Sequence, residues 1–166
     1  VVDRRSTTGN LTGNRSHVFV QVGSGQDTPH EAKGSMSEPF STFNLGIEAV
    51  VPEGTVFLVS GNFYATTNPV EVNKSLTLRS LVKHGAVIHG RIIVNADNVT
   101  IDGLTINRAA ADGAGIIIKN NKKDILIKNN LQNGNGIGSA SLETAGIQVT
   151  GGTEVIIENN IITNNK

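Results

Sequence analysis

At 166 residues the chain fits one domain with a buried core. Its 14 basic and 14 acidic residues cancel, which removes the electrostatic case for a nucleic-acid or anionic-membrane partner. No apolar run approaches the ~18 residues of a membrane span, and the lack of cysteine excludes disulfides and thiolate metal sites.

Glycine at 19 residues, abundant asparagine and few aromatics suit a repetitive extracellular or cell-surface β-structure better than a helical enzyme. A first residue of Val1 with no signal-like stretch is expected of a processed or excised product.

Residues 1–16, VVDRRSTTGNLTGNRS, are polar and without periodicity, an N-terminal arm ahead of a single β-helix domain over 17–166. His17 to Val22 reads as a first strand with Val18, Val20 and Val22 on one face. Gly23 to Ser37 is a loop in which Pro29 rules out a central strand. Ser41 or Thr42 then caps a short helix whose apolar side is Phe40, Phe43, Leu45, Ile47 and Val50. Pro52 and Gly54 are expected to stop that helix. Thr55 to Ser60 follows as a strand and Gly61-Asn62 as a turn.

The series HVFVQVGSG, PFSTF, AVVPEGTVFLVSGNFY, VEVNKSLTLRS and NVTIDGLTI resembles the N-terminal part of right-handed parallel β-helix proteins of the pectin-lyase-like superfamily. With the downstream repeats the likeness covers nearly all of residues 17–166. It implies an all-β fold, a right-handed parallel β-helix solenoid whose N-terminal end a short amphipathic helix closes. The superfamily holds lyases, hydrolases, epimerases, tailspikes, adhesins and structural proteins, so the fold alone does not select a function.

From Val70 onward the coils are legible directly. First strands fall at Val70–Val72, Ile92–Val94, Ile116–Ile118 and Ile147–Val149; second strands fall at Leu76–Leu78, Val99–Ile101, Ile125–Ile127 and Val155–Ile157. Leu78, Ile101, Ile127 and Ile157 align in one column, a repeat in the twenties built from strands, which marks a solenoid of about five coils. Alternation turns the first and third residue of each strand inward. Asn73, Asn95, Asn120, Asn129 and Asn159 stand at corners, where Asn tolerates a left-handed backbone. Asn130 and Asn160 are placed to stack as an amide ladder. Insertions at 107–114 and 133–145 project on one side, where solenoids often carry a binding face.

A cleaving β-helix would present stacked carboxylates, Lys or Arg. The outward columns instead read Glu71, Ile93, Ile117, Gln148 on the first strands and Thr77, Thr100, Leu126, Ile156 on the second. No carboxylate pair for glycoside hydrolysis stands in either. Ile93, Ile117, Leu126, Ile156, Ile161 and Ile162 are therefore interface candidates, an apolar set that implies a covering surface.

The catalytic candidates are weak: His89 and Arg91, which fall with Lys83 and His84 in KHGAVIHGR, and Lys119. Turn decoration is the favoured reading of that cluster. Lys119, Lys122 and Lys123 read as a solvated corner. Asp27, His30, Glu31 and Glu38 share a loop that is better read as solvated than as a cation site. No metal or cofactor is expected. The sequons at Asn10, Asn14, Asn73 and Asn98 would be used only in a eukaryotic secretory setting.

The final stretch, ENNIITNNK, ends without a polar cap. The expectation is that the rest of a longer β-helix or a neighbouring copy covers it. The favoured function is an extracellular structural or assembly β-helix without catalysis, self-associating into a surface polymer or filament or forming part of an adhesin. The alternative is the N-terminal part of a polysaccharide lyase, hydrolase or epimerase. A groove with polysaccharide as partner would then involve Arg91, Lys119, Gln148 and the 133–145 loop.

Overall fold

The computed structural model describes residues 15–23, 33–107, 114–134 and 145–165. The arm over 1–14, with Asn10 and Asn14, the loop residues Asp27, His30 and Glu31, and the centres of both insertions lie outside these.

The chain winds as a parallel β-solenoid. One sheet is built from β1 (Arg15–Val20), β2 (Val50–Leu58), β4 (Leu76–Ser80), β6 (Val99–Asp102), β9 (Lys123–Lys128) and β12 (Thr153–Glu158), stacked in that order and all parallel. The second sheet is centred on β5 (Ala86–Val94), which pairs along its length with β3 (Gly61–Val72). On its other edge β5 forks. Val87 to His89 pair with β7 (Thr105–Asn107), followed by β10 (Leu131–Asn133) and β13 (Ile161–Thr163). Ile92 to Val94 pair with β8 (Ile116–Ile118), followed by β11 (Ile147–Val149).

Registers match the columns read from the aliphatic alternation. Leu78, Ile101, Ile127 and Ile157 are successive Cα partners. So are Glu71, Ile93, Ile117 and Gln148. Inward positions are buried on every coil but the last, because β-branched and leucine side chains from stacked strands fill the tube.

The fork at β5 depends on Gly90, which has φ 146°, and a Cβ there would strike the Ala65 backbone. Only glycine allows the two chains to approach so closely while the strand turns from one face to the next.

At the start of the stack, Thr42 Oγ1 accepts from Leu45 N and begins α1 (Phe43–Ala49). Its buried residues are Phe43, Gly46, Ile47 and Ala49, and Leu45 is only half-buried. Gly46 lies against Val18, Val20 and Val56, so the helix closes the interior of the first coil. Backbone bonds from Phe19 N to Gly34 O and from Gln21 N to Phe40 O add cover to the outer edge of β1.

Three local readings need correction. The chain leaves α1 at Val50 with an extended backbone, so Pro52 and Gly54 stand inside β2 rather than ending the helix. There the pairing shifts between Arg15 and His17, and Glu53 takes φ 65°, a bulge that accommodates a residue without an N–H. Val22 is exposed beyond the end of β1 rather than facing inward. Gly61-Asn62 opens β3 rather than forming a turn.

Candidate functional site

Among the described residues, three surfaces carry polar chemistry. The most ordered is a column on the outer face of the first sheet, two residues beyond the threonines. Arg79, Asp102, Lys128 and Glu158 are successive Cα partners, so charge alternates in sign at the ~4.8 Å strand spacing. Arg79 donates twice to Asp102 Oδ2, from Nε at 2.8 Å and from one terminal nitrogen at 2.6 Å. Asn129 Nδ2 donates to Asp102 Oδ1 at 2.8 Å.

Both carboxylate oxygens are thus engaged, and the Asp102 side chain is 9% exposed. Burial alone would raise the Asp102 pKa. The Asn129 bond, the Arg79 bond and charge, and the Lys128 charge outweigh it and hold the carboxyl below its ordinary value. Lys83, Ser80 and Gly103 complete a hollow of ≈ 220 Å³ around the pair. The reading above missed this column because it stopped at Thr77, Thr100, Leu126 and Ile156; the same alternation two residues on would have found it.

The second surface lies on the arm of the second sheet that contains β7. Tyr64 is 74% exposed and stacks on His89 at 4.9 Å between ring centroids. His89 Nε2 donates to Asn62 Oδ1 at 2.8 Å, fixing the imidazole plane. Asn107 is the next Cα partner of His89, and Asn133 the next of Asn107. An aromatic ring is therefore followed by a run of amides, and the sequence reading had not used Tyr64.

The third is an open hollow of ≈ 780 Å³ between α1 and β3, lined by Asn44, Glu48, Glu71 and Lys74 among others. Lys74 Nζ donates to the carbonyls of Glu48 and Val50 at 2.9 and 2.7 Å, satisfying the end of the helix. Burial lowers the Lys74 pKa, and the Glu48 charge offsets part of this.

The basic stretch around residue 84 is pulled apart by the fold. His84 sits at a corner with φ 63° and donates from Nε2 to Asn129 O at 2.7 Å. His89 is on the strand face beside Tyr64. Arg91 Nε donates to Ala114 O at 3.1 Å across the fork. Lys119 follows β8 at the opposite end of its strand, where its N–H bonds Val94 O. Arg91 and Lys119 thus flank different corners and do not share a site. Asn73 and Asn98 are exposed at corners.

Among the apolar outward residues, Ile93, Ile117 and Leu126 are half-buried; stacked neighbours at strand spacing shield one another. Ile156, Ile161 and Ile162 are exposed on the last coil. Ile162 faces inward, as the Cα partner of buried Gln132. Among the described residues no group of three or more His, Asp or Glu is placed to hold a metal ion, and no helix is long and apolar enough to cross a membrane. Compared with known protein families, with curated proteins and with solved structures, the chain finds no match.

Proposed function

We infer that this chain is a structural β-solenoid of the pectin-lyase-like kind, acting outside the cell or at its surface, which binds in the manner of an adhesin without catalysing a reaction. The observation that carries this reading is the self-neutralised charge column. A general base needs an accessible lone pair and a pKa near the working pH. Asp102 has both oxygens bonded and a lowered pKa, so it serves as a strut between coils. The remaining outward columns are largely Thr, Ile, Leu and Asn, side chains that pack or hydrogen-bond.

Binding is favoured over end-to-end polymerisation because α1 and the 33–40 segment cover the first coil. On the first sheet a second copy meets an edge of β1 already bonded to Gly34 and Phe40. The surface best suited to a glycan is Tyr64 with His89, Asn62 and Asn107. A sugar ring packs its C–H face on an aromatic ring while amides take its hydroxyls.

The alternative, a carbohydrate-active enzyme, draws on the hollow beside Arg79 and Lys83. Incubation with neutral and uronate-containing polysaccharides, followed by reducing-end and unsaturated-product assays, decides between them. No product is expected, and affinity electrophoresis should show retardation that Tyr64→Ala removes. Product formation abolished by Arg79→Ala or Asp102→Asn would overturn the non-catalytic reading. Retardation unchanged by Tyr64→Ala would overturn the assignment of the glycan surface.

A further inference from the structure

The hollow beside Asp102 holds more hydrogen-bond donors than the fold uses. Arg79 gives Nε and one terminal nitrogen to Asp102 Oδ2, and Asn129 gives one N–H to Oδ1. The other terminal nitrogen of Arg79, the Lys83 ammonium and the second N–H of Asn129 donate to no described residue. Charge runs the same way. Arg79 and Lys128 flank Asp102 as its Cα partners on either side, and Lys83 lines the hollow as a further cation. Glu158 stands on the far side of Lys128, away from Arg79.

The backbone that carries Lys83 is pinned. Ser80 Oγ donates to Val82 O and accepts from Ala86 N, while His84 N donates to Gly103 O and His84 Nε2 to Asn129 O. A corner fixed before a ligand arrives loses less entropy when one binds. At Gly103, φ 71°, an added Cβ would lie 3.8 Å from Lys83 Cα and 3.9 Å from Ser80 Cβ. The bare backbone there keeps the space of ≈ 220 Å³ open between the corners of successive coils.

We propose that this hollow binds a tetrahedral oxyanion, a phosphate or sulfate group that is either free or carried on a larger molecule. Asp102 already takes one edge of the Arg79 guanidinium, so the parallel two-bond match to a planar carboxylate is not on offer there. What remains is a terminal nitrogen, an ammonium and an amide. These separate point donors suit a group with several outward oxygens. Asp102 orients Arg79 for this role and sets a repulsive threshold that a weakly held anion does not pass. The site lies on the first sheet and does not rest on the glycan surface at Tyr64, which belongs to the second.

The test uses the full isotope-labelled chain and follows backbone amide shifts at fixed ionic strength. The probes are inorganic sulfate, inorganic phosphate, a hexose phosphate and the matching hexuronate. Saturable shifts centred on the Lys83, Gly103 and Asn129 amides are expected with the first three, and at least about 10-fold weaker binding with the hexuronate. Lys83→Gln should weaken phosphate binding about 10-fold, the worth of one charge-assisted bond. Lys119→Gln, at the corner after β8, should leave it unchanged. Asp102→Asn should tighten it about 3-fold by lifting the repulsion of one nearby charge, whereas a corner merely loosened by that change would bind more weakly. A hexose phosphate bound more tightly than phosphate supports the site with a larger ligand as the source. Binding no tighter supports it with the free anion as the source. Shifts that do not saturate, equal losses in Lys83→Gln and Lys119→Gln, a hexuronate bound as tightly as phosphate, or weaker binding by Asp102→Asn would overturn the proposal.

Discussion

Replacing Asn130 by alanine removes a buried side chain that ties three coils together. Asn130 is 0% exposed. Its loss leaves Leu104 N and Ile101 O without their ladder partner, and removes the 3.1 Å bond to Asn160 Oδ1. A buried polar group left unsatisfied costs about 1–3 kcal/mol, so the two backbone groups together imply a loss of about 3 kcal/mol or more. With a urea m-value near 2 kcal/mol/M, that lowers the midpoint by about 1.5 M.

Asn160→Ala is the internal control. It makes the same bonds one coil on, but on the half-exposed last coil water can replace them, and about 1 kcal/mol is expected. Far-UV circular dichroism in urea measures both variants. Hydrogen exchange at the Leu104 amide reports the local loss even if the coils do not unfold together. An Asn130→Ala variant no less stable than Asn160→Ala, with Leu104 still protected, would refute the argument that ladder amides hold the coils together.

The fork gives a steric prediction. Gly90→Ala should cost about 2 kcal/mol or more, because backbone must move. Gly23→Ala, at φ 77° with nothing within 4 Å of the new methyl, should cost only about 1 kcal/mol; equal midpoint shifts in urea would contradict this. Asp102→Asn should cost about 1–2 kcal/mol at neutral pH, limited by an Arg79 side chain that is 44% exposed. Because the Asp102 pKa is lowered in the folded chain, its stabilisation is full above the unfolded value of about 4 and fades as pH falls through the folded one. Urea titrations at pH 7 and pH 2 should show the wild-type advantage shrinking; an unchanged gap would show that charge is not its source. Glu154 behaves oppositely: the Asp124 side-chain bond and charge raise its pKa, so this pair destabilises as pH rises through its range. Asp124→Asn should therefore raise the melting temperature at pH 7, with the gain vanishing below about pH 4; a gain that persists in acid would point to another cause.

The stacked strands were legible because burial selects aliphatics at alternate positions, so Ile92, Ile116 and Ile147 announce both strand and face. The Asn130–Asn160 ladder was legible for a related reason: its geometry needs the same residue at the same place on successive coils. Positions set by tertiary contact were not legible. Pro52 and Gly54 carry the local signature of a helix stop, and only the pairing with β1 makes them a bulge. Gly61-Asn62 carries the signature of a turn, and only β5 alongside makes it a strand. The Arg79–Asp102 pair sits on different coils, 23 residues apart, and is visible only when the column is followed past its threonines. Tyr64 had no partner in sequence, since His89 reaches it from the next coil.

The fork at Gly90 also bears on how this architecture accepts new sequence. On β5 the chain passes from one face to the next within a single unbroken strand, with burial alternating from Ala86 to Val94. One coil later the same passage is divided between β7, ending at Asn107, and β8, starting at Ile116; on the coil after that it separates Asn133 from Ile147. Despite this growing gap, Ile116 and Ile147 each fall in register with the strand before them. Chain length at this corner is thus decoupled from the register of the coils. A foreign epitope or a small folded tag grafted between Asn107 and Ile116 should leave the solenoid intact, making this edge a natural place for display.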